Sequence, residues 1–426
     1  MSIFSLACFL ICLGILASCL RRGADIFSPG RVFGFVWSLA FGLADLKLSR
    51  LQHDWSFESW IHILLGPVTF LVGILIAGVM SLDVRQVSIE DVRRLWRTER
   101  LDHRKLYRLI LCCFALFFMG YAGILLLGGE VPLLSSHPGA ARAGFMAFGL
   151  GLFLHNVVLI LLFSVLYYLL AKGESRRKWV LVAVSVISVA MYAATFNRFQ
   201  IIMSVVLSIS ILYYLTRSIR FSTAGVSMLV VVLFFYWIST ARSGQLIMHY
   251  LYIDSKMKFS PAFSAFTEPY MYTVMNLENF ARSVPRLDQF TYGYYTFDFL
   301  GAITGVKHWL SSYFNIVDTP YLISGYNTYS TFWWFYRDFG AAGLAGISLL
   351  LGTAAGLIYY RMRSHPTLPA VFAYCICVFI MVFSFFADFV SVLWFVYNVA
   401  AIYLIVRLIR GKPAPAGDPQ MSSVPG

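Results

Sequence analysis

Long apolar runs separated by short polar segments cover most of this chain. Each run is close to the roughly 20 residues that a helix needs to cross the hydrocarbon core of a bilayer. The pattern predicts an all-α polytopic membrane protein whose transmembrane helices form a single domain over residues 1–426. Eleven helices are predicted, near residues 3–20, 32–48, 60–80, 108–128, 145–171, 179–195, 199–216, 223–240, 339–360, 368–387 and 389–406.

Composition agrees with this pattern. The chain is 59% hydrophobic and 12% charged, whereas soluble domains are about 45–50% apolar and about 25% charged. The net charge of +13 does not indicate a nucleic-acid partner, because the positive charge is concentrated in short segments between apolar runs. The bilayer is the partner that the composition predicts.

The distribution of Lys and Arg predicts the orientation. With the N-terminus outside, the cytoplasmic segments hold 22 of the 33 Lys and Arg residues and 8 of the 20 acids. Cytoplasmic loops of membrane proteins carry an excess of Lys and Arg. The same orientation leaves a Pro-, Gly- and Ser-rich tail, residues 411–426, in the cytoplasm, where its composition predicts disorder.

Residues 241–337 form the only long segment between apolar runs that lacks a spanning pattern. The charge bias places this large loop outside the cytoplasm. About a quarter of its residues are aromatic, which suits either stacking on sugars or an interfacial aromatic belt.

Polar and small residues inside the apolar runs have simpler interpretations. Asp388 is expected near an outer helix end, where water can reach it. His155 and Asn156 are interpreted as an interhelical contact. Gly352 and Gly356 recur at a spacing that favours close helix packing, as do the glycines of the preceding series Gly340, Gly343 and Gly346.

Arginines on the predicted outer side are exceptions to the charge bias. Guanidinium groups bind phosphate oxygens through two parallel hydrogen bonds, although single arginines can also reach lipid headgroups. We expect a pyrophosphate site built by several of them. The candidates are Arg198, in a tight hairpin between two apolar runs, with Arg242, Arg282 and Arg286, and further Arg142 and Arg337.

Carboxylates in the large loop could act as a general base. Glu268 and Asp338 lie closest to apolar sequence, and His308 is a third candidate. An acid near a helix start, such as Asp338, can instead be an N-cap. No Cys/His cluster, HExxH, Walker or GxSxG motif occurs, so no metal or cofactor is predicted.

Four short motifs resemble those of the bacterial O-antigen and oligosaccharide repeat-unit polymerases, the Wzy type. They are Phe196-Asn-Arg-Phe-Gln-Ile-Ile-Met203, the helix end Ala241-Arg-Ser-Gly244, Asn327-Thr-Tyr-Ser-Thr331 with Tyr336-Arg-Asp-Phe-Gly-Ala-Ala-Gly343, and the spacing Arg282-x10-Gly293. Asn327 and Tyr336 become site candidates through this resemblance. Some members of this family have two Arg-x10-Gly spacings, whereas this chain has one and departs from them in this respect.

The resemblance implies a GT-C-like, metal-independent glycosyltransferase in the bacterial inner membrane with its active site facing the periplasm. Its donor and acceptor would be undecaprenyl-pyrophosphate-linked oligosaccharides, joined during O-antigen or lipopolysaccharide biosynthesis. A chain-length regulator and a flippase are the partners it implies.

Two alternatives stay open at this point. An O-antigen ligase would transfer the finished glycan to the lipid A core, and a lipid-linked oligosaccharide flippase would transport it. A transporter is expected to show related halves, and no such repeat is evident here.

Overall fold

The computed structural model describes residues 2–21, 23–96, 99, 101–145, 149–171, 173–216, 249–287, 289–314 and 322–410, except for the side chains of Leu95, Ala143, His308, Tyr313 and Phe314. The predicted helix 223–240, Arg242 and the tail 411–426 lie outside these residues. The described part is helical, and its β-structure is limited to two isolated bridges.

The first ten helices are α1 Ile3–Cys19, α2 Pro29–Asp45, α3 Phe57–Met80, α4 Ile89–Leu95, α5 His103–Leu126, α6 Pro138–Gly144, α7 Leu150–Leu154, α8 Asn156–Leu170, α9 Ser175–Ala193 and α10 Phe199–Leu215. After the gap follow α11 Thr267–Ser283, α12 Asp298–Thr304, α13 Val306–Phe314, α14 Thr331–Ser364, α15 Leu368–Phe383 and α16 Leu393–Ile409.

Among the residues that the structure describes, four stretches are long and apolar enough to cross a membrane: α3, α5, the α7–α8 pair and α14. Shorter apolar helices, α1, α10, α15 and α16, accompany them. Together they indicate a membrane-embedded protein.

Most predicted runs coincide with a helix, and two differ from their predicted form. The run 145–171 is divided at His155, where α7 ends and α8 begins. The ninth helix begins at Thr331 instead of 339, because the aromatic run before Gly340 is itself helical. Gly340 has a φ of +65°, which glycine adopts without strain, and it bends α14 there.

The contact between α3 and α14 is the most extensive in the bundle, and glycines allow it. A Cβ at Gly352 would lie 2.0 Å from the carbonyl oxygen of Phe70, and one at Gly356 would lie 2.5 Å from Ala77. The predicted packing role of these two glycines is therefore confirmed. It is wrong for Gly346, where an added Cβ would meet nothing within 4 Å.

One end of the bundle, where α9 is joined to α10, carries Arg198 and is called the hairpin end. Helix α11 lies there against α2 and α3. Tyr270 of α11 donates a hydrogen bond to Gln52 and accepts one from the backbone N–H of Leu48. These bonds attach the α2–α3 connection to α11.

Candidate functional site

Two residues predicted separately from the sequence meet at the hairpin end. Arg198 immediately precedes α10, and its Nη2 lies 3.1 Å from Oε1 of Glu268 in the first turn of α11. The same nitrogen donates to the hydroxyl of Tyr272 at 3.0 Å. Glu268 and Tyr272 lie on the same face of α11, four residues apart. The side chains of Arg198 and Glu268 are 18% and 16% exposed, so neither is fully enclosed by protein.

Arg142 extends this group. Its Nε donates to Oδ1 of Asn197 at 3.2 Å, and Asn197 is the neighbour of Arg198. The segment after α5 contacts the hairpin as well, since Leu133 donates a backbone hydrogen bond to the carbonyl oxygen of Ala194. We call the group formed by Arg142, Asn197, Arg198, Glu268 and Tyr272 the hairpin cluster.

Aromatic rings support the hairpin cluster from the bundle side. Phe199, next to Arg198, stacks on Phe389 with ring centroids 4.5 Å apart. Phe386 lies 5.7 Å from the ring of Tyr272. Both phenylalanines belong to the connection between α15 and α16, residues 384–392, which therefore lies under the cluster.

Asp388, in that connection, was expected to be within reach of water and is instead buried, with 7% of its surface exposed. Its Oδ1 accepts a hydrogen bond from the backbone N–H of Val390 at 3.1 Å. Burial raises the pKa of Asp388 to about 6, although hydrogen bonds from Ser391 and Val390 oppose the shift. The sequence offered one indication of such a group, an acid between two apolar runs.

Arg282 lies at the other end of α11 and makes a different set of contacts. Its Nη2 donates to the carbonyl oxygen of Leu51 at 2.8 Å, and its Nε lies 3.3 Å from Oε1 of Glu278. Glu278 is fully buried and also accepts from Trp55 Nε1 at 2.7 Å and from the backbone of His53 at 3.0 Å. Arg282 thus helps to attach the α2–α3 connection to α11.

The two ends of α11 are too far apart for one pyrophosphate. Glu268 and Arg282 are 14 positions apart in one helix, or about 21 Å at about 1.5 Å per residue. Arg286, exposed in the 3₁₀ turn that follows α11, belongs to the Arg282 end. The structure therefore brings Arg198 to Arg142 and Glu268, but not to Arg282.

Asp338 is completely buried inside α14, and Ser330 is the N-cap residue of that helix. The alternative interpretation of Asp338 as the N-cap is therefore wrong. Its Oδ1 accepts from the hydroxyl of Thr291, and its Oδ2 accepts from the backbone N–H of Thr296 at 2.6 Å. Both oxygens of Asp338 hold the 291–296 loop in place.

The neighbours of Asp338 also contact protein groups. Arg337 is buried and donates through Nη1 to the carbonyl oxygen of Gln289 at 2.6 Å. Tyr336 is buried with its ring 4.9 Å from that of His62 and 5.5 Å from that of Phe280.

The remaining candidates lie elsewhere. Asn327 is exposed, within a segment that α11 holds through hydrogen bonds from Asn279 to the carbonyl oxygens of Tyr326 and Thr328. His308 lies in α13 and its side chain, like the whole of Arg242, is outside the described part. Among described residues, no group of three or more His, Cys, Asp or Glu could hold a metal ion.

No protein-family model, curated protein or solved structure matches this chain.

Proposed function

We propose that this protein is a metal-independent membrane glycosyltransferase that polymerises lipid-linked oligosaccharide units. The observation that carries the proposal is the contact of Arg198 with Glu268, flanked by Arg142. The guanidinium of Arg198, which can bind a phosphate, lies beside the carboxylate of Glu268, which can accept a proton. Both side chains are partly exposed. This pairing is what glycosyl transfer from a pyrophosphate to a hydroxyl requires.

The proposed reaction moves a glycan between two lipid carriers. A hydroxyl oxygen at the non-reducing end of the acceptor unit attacks the anomeric carbon of the donor glycan. The bond from that carbon to the pyrophosphate oxygen breaks, and the undecaprenyl pyrophosphate leaves with the electron pair. Glu268 takes the proton from the attacking hydroxyl, while Arg198 and Arg142 stabilise the charge on the leaving pyrophosphate.

Glu268 is a better base than Asp338 in this proposal. Both oxygens of Asp338 already accept hydrogen bonds from the 291–296 loop, and its carboxylate is buried. Glu268 instead faces a guanidinium that a phosphate can displace. Arg282 and Arg286 were predicted to bind the same pyrophosphate as Arg198, and their distance from it assigns them in this proposal to the pyrophosphate of the second lipid-linked unit instead.

The proposal includes eleven transmembrane helices and places the hairpin end in the periplasm of a bacterial inner membrane. The bias of Lys and Arg toward the opposite end supports this orientation.

The experiment is the lipopolysaccharide gel pattern of a strain that lacks the gene. Loss of the polymer ladder with one repeat unit retained on the lipid A core supports a polymerase. Polymer that accumulates on the lipid carrier, with none on the core, would show a ligase. Single lipid-linked units that accumulate in the cytoplasmic leaflet would show a flippase.

A further inference from the structure

A cavity of about 700 Å³ lies between the 289–294 loop and helices α12 and α13. Phe290, Tyr292, Tyr294 and Phe297 supply aromatic walls, and the side chain of Tyr292 is 80% exposed. Aromatic faces attract the weakly positive C–H bonds that line one side of a pyranose ring.

Polar groups in this cavity are mainly uncharged. Gln289 and Thr304 contribute an amide and a hydroxyl to the lining. Lys307 is the cation among the described lining residues, and it forms an ion pair with Asp298, which neutralises its charge. A wall of this kind suits neutral sugars better than a phosphate.

A second, apolar space lies between α15 and α16. This groove has a volume of about 400 Å³ and is lined by side chains such as Phe372, Ala373, Ile376 and Val399. Tyr403, which also lines it, is 60% exposed, so the groove opens on the surface that α16 presents to lipid. Its lining on α16 extends from Phe395 to Val406, about 17 Å at about 1.5 Å per residue.

A backbone hydrogen bond joins the wall of the cavity to the wall of the groove. Val390 lines the groove and Leu300 lines the cavity. Their neighbours are joined directly, since Phe299 donates its backbone N–H to the carbonyl oxygen of Ser391 at 2.8 Å. The apolar groove between α15 and α16 therefore lies next to the aromatic, uncharged cavity.

We propose that the groove and the cavity form one binding site for a glycolipid, with the hydrocarbon chain in the groove and neutral sugars in the cavity. Asp338 is a positioning residue of this site, because it holds the loop that carries Tyr292 and Tyr294. The inference rests on the proposed function for the identity of the glycolipid, an oligosaccharide on polyprenyl pyrophosphate.

The position of the cavity relative to the hairpin cluster agrees with the proposed glycosyl transfer. The ring of Phe386 contacts Tyr272 of the hairpin cluster, and Ser391 contacts the cavity wall. The 384–392 connection therefore contacts both the hairpin cluster and the segment that carries the cavity wall.

The test measures binding to the purified full-length protein in lipid nanodiscs. The probes are undecaprenyl pyrophosphate without sugar and the lipid-linked oligosaccharide extracted from a strain that lacks the gene. Tyr292→Ala should weaken binding of the oligosaccharide probe about tenfold and leave the sugar-free probe unchanged. Ala373→Phe, which fills the groove, should weaken binding of both.

Matched controls separate these effects from general damage. Tyr250→Ala removes another exposed tyrosine of the large loop, and Ala400→Phe adds the same bulk to α16 outside the groove. Both should bind the two probes as the unaltered protein does. Equal weakening by control and test variants would overturn the proposal, as would unchanged binding in both test variants.

Two further outcomes distinguish the site from the reaction. Phosphatidylglycerol that competes as well as undecaprenyl pyrophosphate would show that the groove holds ordinary lipid only, and would overturn the proposal. A normal lipopolysaccharide ladder in the strain lacking the gene would overturn the proposed polymerase. The binding differences of Tyr292→Ala and Ala373→Phe would still establish a glycolipid site.

Discussion

The contact between Arg198 and Glu268 has the properties of an ion pair that a ligand can exchange. A phosphate oxygen that replaces Glu268 would accept the same charge-assisted hydrogen bond from the guanidinium, so Arg198 would keep an anionic partner. The exchange would bind the donor pyrophosphate and release the carboxylate that takes the proton. Glu278, by contrast, is fully buried among its hydrogen-bond donors. It is therefore suited to holding the α2–α3 connection rather than to exchanging its partner for a ligand.

Arg198→Lys is the variant that tests the phosphate role. A lysine keeps the positive charge but cannot form two parallel hydrogen bonds. Loss of one charge-assisted hydrogen bond costs about 1.5–3 kcal/mol, so polymer formation should fall roughly 10- to 100-fold at an equal amount of protein. Arg50→Lys, at an exposed arginine of the α2–α3 connection, is the control. Full activity of Arg198→Lys would remove this residue from the mechanism.

Asp388 makes stability depend on pH. Its pKa is raised by burial to about 6, so the folded protein holds this proton more tightly than the unfolded chain does. The resulting stabilisation is present below about pH 4 and is lost as the pH rises through about 6, a change of about 3 kcal/mol. Asp388→Asn carries no charge and avoids this loss.

Thermal unfolding at two pH values measures the effect. Asp388→Asn should unfold at a higher temperature than the unaltered protein at pH 8, and the difference should shrink at pH 5. Asp54→Asn, at an exposed acid, should show no such dependence. Equal unfolding temperatures at pH 8 would contradict the assignment.

The sequence identified candidate residues but not their contacts. Arg198 was chosen because it lies in a tight hairpin between apolar runs, and Glu268 because it lies close to apolar sequence. Their contact depends on how α11 lies across the bundle, which periodicity does not describe. For the same reason, periodicity did not predict the contacts of Arg282 with Leu51 and Glu278. It also did not predict the burial of Asp388, which depends on how the 384–392 connection packs.

At the scale of helices, α14 combines two functions in one element. Its first part, from Thr331 to Phe339, carries the aromatic run and Asp338 at the hairpin end. Its second part packs against α3 through Gly352 and Gly356. The kink at Gly340 separates them, and hydropathy therefore detected only the second part.

Gly352→Ala tests the close contact of α3 and α14. The added Cβ would meet the carbonyl oxygen of Phe70 at 2.0 Å, and overpacking of this kind costs about 1–3 kcal/mol. We expect a lower unfolding temperature in detergent. Gly346→Ala in the same helix adds its methyl group to open space and should not lower it. Equal behaviour of the two variants would contradict this packing.

At the scale of the whole molecule, α11 separates two groups of charged residues. The hairpin cluster lies at its start, and the Arg282 group lies at its end. Charge counting predicted which side of the membrane both occupy, because that bias depends on composition alone. Their separation along one helix could not be predicted, since the sequence does not show that residues 267–283 form a single straight element.

Labelling with a membrane-impermeant maleimide tests the orientation. Tyr250→Cys places a thiol at an exposed position of the large loop, and Asp83→Cys places one at an exposed position of the segment between α3 and α4. The first should be labelled in spheroplasts, and the second only after the membrane is permeabilised. The reverse pattern would invert the proposed topology.

The most direct test of the central claim is polymer formation by the purified protein in liposomes with lipid-linked oligosaccharide units. Glu268→Gln preserves the size of the side chain but cannot take a proton from a hydroxyl. General-base catalysis contributes about 10²- to 10⁴-fold, so polymer formation should fall by at least about 100-fold while binding of undecaprenyl pyrophosphate persists. Polymer formation by Glu268→Gln at the rate of the unaltered protein would contradict the account.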